Sequence, residues 1–289
     1  MNNNVNTIKD LRNHLHRRLG NLYPANEIDS IAIIIIKTLS GLDRLHQLQN
    51  PDYRFSGTVK ERLYEICEKL AEGMPVQYAL GETVFYGYRI KVNNKTLIPR
   101  QETEELVDLI IRENKGFSGR ILDIGTGSGT IAIALAGEMP LASVSATDIS
   151  EEALETAKEN ASLNKVNITF FRADILSPHI EMKVAKFNII ASNPPYIPES
   201  EKKNLHVNIT EFEPASALFV PDSDPLVYYR AILKKKDFLL EPGGRLYFEM
   251  HEKMGIKLKS LALHHGFTDV RIIKDLNNKD RFLTCTFNG

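Results

Sequence analysis

The stretch Arg120-Ile121-Leu122-Asp123-Ile124-Gly125-Thr126-Gly127-Ser128-Gly129 decides the fold. Its first half is a β-branched, apolar run of strand length, its second half is a loop rich in glycine, and an apolar helical pattern follows to Gly137. Glycines let a backbone turn sharply and approach a ligand without Cβ interference. Downstream, strand and helix patterns alternate with a regular beat. Strands are expected at 120–124, 143–147, 167–171, 187–192, 245–250, 270–274 and 281–286, and helices at 129–137, 151–163, 225–240 and 252–265. Such alternation predicts an α/β domain with a mostly parallel sheet covered on both faces, binding its ligands beyond the carboxyl ends of the strands.

The spacing of the glycines separates the possible cofactors. A dinucleotide fingerprint counted from Gly125 would need glycine at Thr130, whereas the third glycine comes one position early, at Gly129. About twenty residues on, Asp148 ends the second strand, where a carboxylate can accept hydrogen bonds from both ribose hydroxyls of a nucleoside. Asp174 ends the third strand and can meet an adenine amino group, with Ile175 beside the ring; the same Asp also suits an ordinary turn. The glycine loop and the two acids together resemble the class I S-adenosylmethionine-dependent methyltransferases. That resemblance covers roughly residues 100–289 and implies a Rossmann-like, seven-stranded, mostly parallel sheet. It implies S-adenosylmethionine as cofactor, S-adenosylhomocysteine as product, and Asp123, Gly125, Thr126, Gly127, Ser128, Gly129, Asp148, Asp174, Ile175 and Asn193 as cofactor-binding residues.

After the fourth strand comes Ser192-Asn193-Pro194-Pro195-Tyr196. Two prolines in a loop make a rigid turn, but this one falls at the carboxyl end of a strand beside the cofactor strand, at the crevice of the fold. The residue types suit methylation of a planar nitrogen, whose lone pair is delocalised. Asn193 offers a side-chain carbonyl and Pro194 a backbone carbonyl, the acceptors that an NH2 group needs. Proline brings no competing N–H and holds the stretch extended. Tyr196 can stack on the planar group, and Pro195 completes the substrate-binding stretch. Asn193, Pro194 and Tyr196 are therefore the candidate catalytic residues, acting by orientation and by stabilising the charge that develops on nitrogen.

Before residue 76 only helical patterns occur. Val5, Ile8, Leu11 and Leu15 fall at helical spacing, Ile31 to Leu39 is expected to be apolar all round, and Ser56 is a candidate N-cap for a stripe of Val59, Leu63, Ile66, Cys67 and Leu70. Residues 76–99 turn aromatic and β-branched, which predicts a β-hairpin linker with Asn93-Asn94 at its turn. The expected organisation is a helical docking domain over 1–75, the linker over 76–99 and the catalytic domain over 100–289. The helical domain, the linker stretches Pro75 to Gly81 and Phe85-Tyr86-Gly87, the segment Leu97 to Glu104, the Asn-Pro-Pro-Tyr motif and the ending Lys274-Asp275-Leu276 with Asp280-Arg281-Phe282 resemble the PrmC (HemK) family. The resemblance implies methylation of the N5 side-chain amide of the Gly-Gly-Gln glutamine in peptide chain release factors, with the helical domain helping to dock them. Three departures from the family's pattern stand at Gln101, at Val220-Pro221-Asp222-Ser223-Asp224-Pro225 within the stretch from Ala217 to Tyr229, and at His251. They are expected to lie away from the glycine loop and Asn193.

The composition supports a protein partner over nucleic acid. In 289 residues, Lys+Arg 36 against Asp+Glu 37 give a formal net charge of -1, without the basic excess that phosphate-backbone binding uses. Other readings are a glutamine methyltransferase of a ribosomal protein, a DNA or RNA exocyclic-amine methyltransferase, and a scaffold without catalysis. Two cysteines far apart, Cys67 and Cys285, suggest neither a disulfide framework nor a thiolate metal site. His251-Glu252 lacks the second histidine of a zinc motif, and His264 and His265 are expected on different sides of their helix, so no metal is predicted. Lys234 to Lys236 reads as a solvated helix face, and Glu102, Glu104 and Glu105 as the acidic start of a helix. No leader or membrane segment is visible in the sequence, and a cytoplasmic monomer is expected.

Overall fold

The structure is a computed structural model and describes residues 5–178 and 185–289. Residues 1–4, on which part of the amino-terminal reading rests, lie outside the described residues. In chain order the helices are α1 Ile8–Leu19, α2 Ala25–Ser40, α3 Arg44–Gln49, α4 Gly57–Ala71 and α5 Val76–Leu80, followed by strands β1 Glu82–Phe85 and β2 Tyr88–Lys91. Then come α6 Gln101–Glu113, β3 Arg120–Ile124, α7 Thr130–Glu138, β4 Ser143–Asp148, α8 Glu151–Leu163, β5 Ile168–Arg172, β6 Phe187–Ser192 and β7 Ile197–Pro198. The chain continues through α9 Val207–Phe212, β8 Phe219–Val220, α10 Val227–Lys234, α11 Lys236–Leu239, β9 Leu240–Glu249, α12 Gly255–His264, β10 Thr268–Lys274 and β11 Asp280–Phe287. It divides into two compact units, one of Met1–Glu82 with His206–Phe212, the other of Thr83–Leu205 with Glu213–Gly289.

The first unit is helical. Thr7 and Asp10 form a reciprocal capping box at the start of α1, and Gly41 closes α2 in the left-handed conformation at φ 71°. Leu11, Leu15, Ile35, Leu63 and Leu70 are among the buried side chains of its core. The expectation of an α2 apolar on every side fails at Lys37 and Thr38, and with Ile34 37% exposed one face of the helix is not buried. Ser56 stands at the N-cap of α4 without a side-chain cap bond. The segment from residue 206 to 212 returns to this unit, where His206 stacks on Tyr23 at 5.6 Å and the Asn208 amide donates to the Tyr23 hydroxyl. Residues 76–80, read as part of a β linker, are instead helical and stopped by Gly81 at φ 78°. The hairpin turn is Tyr86-Gly87, both at positive φ, and not Asn93-Asn94.

The second unit carries a seven-stranded sheet in the order β10-β11-β9-β6-β3-β4-β5. Strands β9, β6, β3, β4 and β5 pair in parallel, and β11 runs antiparallel between β9 and β10. The chain lays down β3, β4 and β5 to one side and then crosses to β6 on the other. That reversal makes the carboxyl ends of β3 and β6 the crevice of the fold. The long helix expected over 225–240 is broken into α10 and α11 at Lys235, and β9 starts at Leu240 rather than 245. Both cysteines are buried and free, and burial pushes the Cys67 thiol up to about 12.

Candidate active site

The glycine loop sits at the carboxyl end of β3. The Gly125 and Thr126 amides donate to the Thr147 carbonyl at 2.9 and 3.0 Å, and the Gly127 amide donates to Asp148 Oδ2 at 2.9 Å. Gly125 and Gly127 have φ values of 73° and 55°, and a Cβ built on either would meet nothing within 4 Å. Backbone conformation demands glycine there, and the open space beside them is a cradle for a ligand. Asn160, fully buried on α8, donates to the Ser128 carbonyl and to the Lys91 carbonyl, both at 2.9 Å, so the loop is also braced from behind.

Thr126, Ser128 and Asp123 turn inward, away from that cradle. The Thr126 hydroxyl donates to Asp123 Oδ2 at 2.6 Å, and all three side chains are buried. Desolvation raises the Asp123 carboxyl to about 7, against the Thr126 hydrogen bond, which lowers it. A carboxyl whose folded pKa is raised contributes stability that is complete below its ordinary value of 3.8 and is lost as the pH rises through about 7. Removing the ionisable group removes that dependence. Without cofactor, the melting temperature of Asp123→Asn relative to the parent should therefore rise by roughly 5 °C or more between pH 5 and pH 8. A difference that stays flat across this range would show that Asp123 does not titrate there.

A groove of about 190 Å³ opens beside the loop. Of the residues expected at the cofactor, Gly125, Gly127, Asp148, Asp174, Ile175 and Asn193 line it, as do Pro194 and Pro195. Asp123, Thr126, Ser128, Gly129 and Tyr196 do not. The two acids keep local roles as well, since Asp148 Oδ1 accepts from the Ser150 amide at 3.0 Å and Asp174 Oδ1 from the Leu176 amide at 2.8 Å. Lys95, Thr96, Thr147, Tyr228 and Ile232 also line the groove and carried no motif in the sequence, and Leu97 lines it from the segment Leu97 to Glu104. Ala217 and Tyr228 come from one stretch of departures expected to lie away from the site. Another departure, His251, meets the Tyr196 ring edge-on at 6.2 Å. Gln101, the exposed first residue of α6, and Val220 to Pro225 do not line the groove, so the expectation is corrected only at the flanking Ala217 and Tyr228 and at His251.

The Asn-Pro-Pro-Tyr stretch leaves the end of β6 directly beside β3. The Ser192 hydroxyl donates to the Ile124 carbonyl at 2.7 Å and fixes the start of the motif against the cofactor loop. Asn193 Nδ2 donates to Thr103 Oγ1 at 3.1 Å, Thr103 Oγ1 donates to Glu249 Oε2 at 2.7 Å, and the Tyr196 hydroxyl donates to Glu249 Oε1 at 3.0 Å. Glu249 is 1% exposed, and desolvation raises its carboxyl above the ordinary range. Tyr196 is thus tied to Glu249 and does not line the groove, where stacking on a substrate was expected.

Among the described residues no group of three or more His, Cys, Asp or Glu side chains could hold a metal ion. His264 and His265, expected to diverge, meet edge-on at 5.6 Å. Lys236 lies over the Phe287 ring at 4.8 Å. Glu104, at the start of α6, accepts from the Tyr86 amide at 2.6 Å.

With this geometry fixed, comparison with known proteins is specific. The family described as "Methyltransferase small domain" matches residues 102–219, and "PrmC N-terminal domain" matches residues 10–81. The chain is 42% identical to a release factor glutamine methyltransferase of Flavobacterium psychrophilum over 97% of this chain and 99% of that one. It belongs to the release factor glutamine methyltransferases. A second such enzyme, from Bacteroides thetaiotaomicron, is 41% identical over 94% of this chain and 97% of its own. A solved methyltransferase structure from Pyrococcus furiosus shares the fold, with a TM-score of 0.52, 20% identity, and coverage of 81% of this chain and all of that one. The protein is accordingly an S-adenosylmethionine-dependent enzyme that methylates glutamine in protein. The groove fits that cofactor on its own chemistry. It combines the open cradle at Gly125 and Gly127, carboxylates at Asp148 and Asp174, and the buried Thr147 hydroxyl, which has no hydrogen-bond partner in the structure. Among the described residues no helix is long and apolar enough to cross a membrane.

Proposed function

We propose that this release factor glutamine methyltransferase acts on the Gly-Gly-Gln glutamine of its substrate, with Asn193 and the Pro194 carbonyl holding the side-chain amide. The observation that carries the reading is the fixed amide of Asn193. Its nitrogen is committed to Thr103, and the residue lines the groove, which leaves its carbonyl to receive an N–H. The Pro194 carbonyl supplies a second acceptor from the adjacent backbone, and proline there adds no donor.

In this reading Gly125, Gly127, Asp148, Asp174 and Ile175 hold the cofactor in the groove. S-adenosylmethionine, when bound, supplies a sulfonium methyl whose C–S bond breaks as the new C–N bond forms, leaving S-adenosylhomocysteine. The chain's own work is orientation. Two acceptors on the two N–H bonds turn the nitrogen lone pair toward the incoming methyl, and the same carbonyls stabilise the positive charge that builds on nitrogen. The surplus proton passes to water, so no side-chain base is required. The near-neutral charge favours a protein over a nucleic acid, and the helical unit is the natural docking surface for it. The reading is completed by a monomeric enzyme working where release factors work, in the cytoplasm.

The test incubates the purified protein with S-adenosylmethionine and a purified release factor and maps the added methyl by tandem mass spectrometry. A single methyl on the glutamine of Gly-Gly-Gln is expected. Methyl found only elsewhere, on a ribosomal protein or on nucleic acid offered in parallel, overturns the proposal.

A further inference from the structure

Thr103 and Glu249 lie outside the Asn-Pro-Pro-Tyr motif, yet they form a chain of hydrogen bonds that ends on its asparagine. We infer that Thr103 and Glu249 are positioning residues that decide which end of the Asn193 amide meets the substrate. The inference rests on the reading that the Asn193 carbonyl accepts from the glutamine amide.

An asparagine amide is nearly symmetric in shape. Turning it by half a rotation exchanges one acceptor for two donors with little change in packing. Facing an NH2 group, the turned form would set donors against donors. Packing alone cannot choose between the two, so the choice falls to hydrogen-bond partners.

In its ionised form, which the hydroxyls of Thr103 and Tyr196 and the charge of Arg281 favour against desolvation, Glu249 makes the choice, because a carboxylate can only accept. It is 1% exposed, and both of its oxygens are taken, one by the Tyr196 hydroxyl at 3.0 Å and the other by the Thr103 hydroxyl at 2.7 Å. Thr103 has one hydroxyl proton, and it points to Glu249. Only lone pairs of Thr103 Oγ1 are left for Asn193, so they accept Nδ2–H at 3.1 Å. The turned amide would bring Oδ1 against those lone pairs with no proton between them. The backbone of Glu249 is fixed in turn, since the buried Tyr229 hydroxyl donates to its carbonyl at 2.8 Å. Three separated elements supply this chain: the first turn of α6, the end of β6 and the end of β9.

The experiment measures kcat with a release factor as substrate, together with cofactor affinity. Glu249→Gln places a possible donor beside Thr103 and frees the hydroxyl proton to point at Asn193. It should lower kcat about 30-fold with cofactor affinity within about twofold of the parent. Thr103→Val should lose a similar factor, and Thr103→Ser, which restores the hydroxyl, should recover most of it. Both ends of an aspartate are oxygen, so in an Asn193→Asp background the further loss from Glu249→Gln should shrink to about threefold or less. Equal losses in both backgrounds, a Glu249→Gln kcat within about threefold of the parent, or no recovery by Thr103→Ser would each overturn the inference. If Glu249→Gln fails to fold or Asn193→Asp is inactive, the Val and Ser variants at 103 decide alone. Full activity of Asn193→Ala would instead sink the underlying reading of Asn193, a result distinct from any of these.

Discussion

Replacing Asn193 with alanine should lower kcat by about 10³-fold while cofactor affinity stays within about threefold of the parent. The substitution removes one of two acceptors that hold the reacting amide, and losing a single preorganised electrostatic partner costs about 10² to 10³ in rate. Lost alignment adds to this, because the Pro194 carbonyl alone leaves the nitrogen free to rotate. The cofactor cradle is untouched, since Gly125, Gly127 and Asp148 keep their own bonds to Thr147 and to one another. Single-turnover methylation and isothermal titration with the cofactor separate the two effects. Retention of more than about a tenth of kcat would show that another group anchors the amide.

The second large effect falls on binding. Asp148→Ala should weaken S-adenosylmethionine by about 10² to 10³-fold, with kcat at saturating cofactor within about fivefold of the parent. A carboxylate has about four lone-pair sites. Here one on each oxygen is used, by the amides of Gly127 and Ser150, which leaves room for two ribose hydroxyls. Hydrogen bonds to a charged group contribute about 1.5 to 3 kcal/mol each, and two of them near the lower end of that range account for the expected loss. The bond to the Gly127 amide is lost as well, so part of the effect is a looser loop. Titration calorimetry reads the change directly, and a Kd within about threefold of the parent would remove Asp148 from the cofactor site.

The central sheet was legible because its signals are local. The strand, glycine loop and helix around Asp123 lie in consecutive residues, and β3, β6 and α8 have the bounds that the sequence pattern predicts. Misreadings arose where tertiary contacts outweigh local preference. Tyr86 is a poor residue for positive φ, yet it turns the hairpin at φ 49° with its amide held by the Glu104 carboxylate. Asn93, the better turn former, instead accepts from the Lys95 amide and donates to Thr156. Pro242, Gly243 and Gly244 read as loop punctuation but lie within β9, where the pairing with β6 shifts register between Phe187 and Ile189. The site shows the same division. Asn193 and the glycines announce themselves by motif, whereas Thr103 and Glu249 stand 146 positions apart and meet only because α6 and β9 do.

The return of residues 206–212 to the helical unit also sets a timetable for synthesis. The unit's amino-terminal helices leave the ribosome early, but His206 and Asn208, the partners of Tyr23, arrive only after residues 83–205 have been made. At roughly 5 to 20 residues per second, that delay is about 6 to 25 s. A gene fragment ending at Glu82 would never supply them, and its product would carry the Tyr23 ring without the imidazole that stacks on it. The two units are thus separate as bodies but not as stretches of message, and neither one can be completed by a single uninterrupted run of translation.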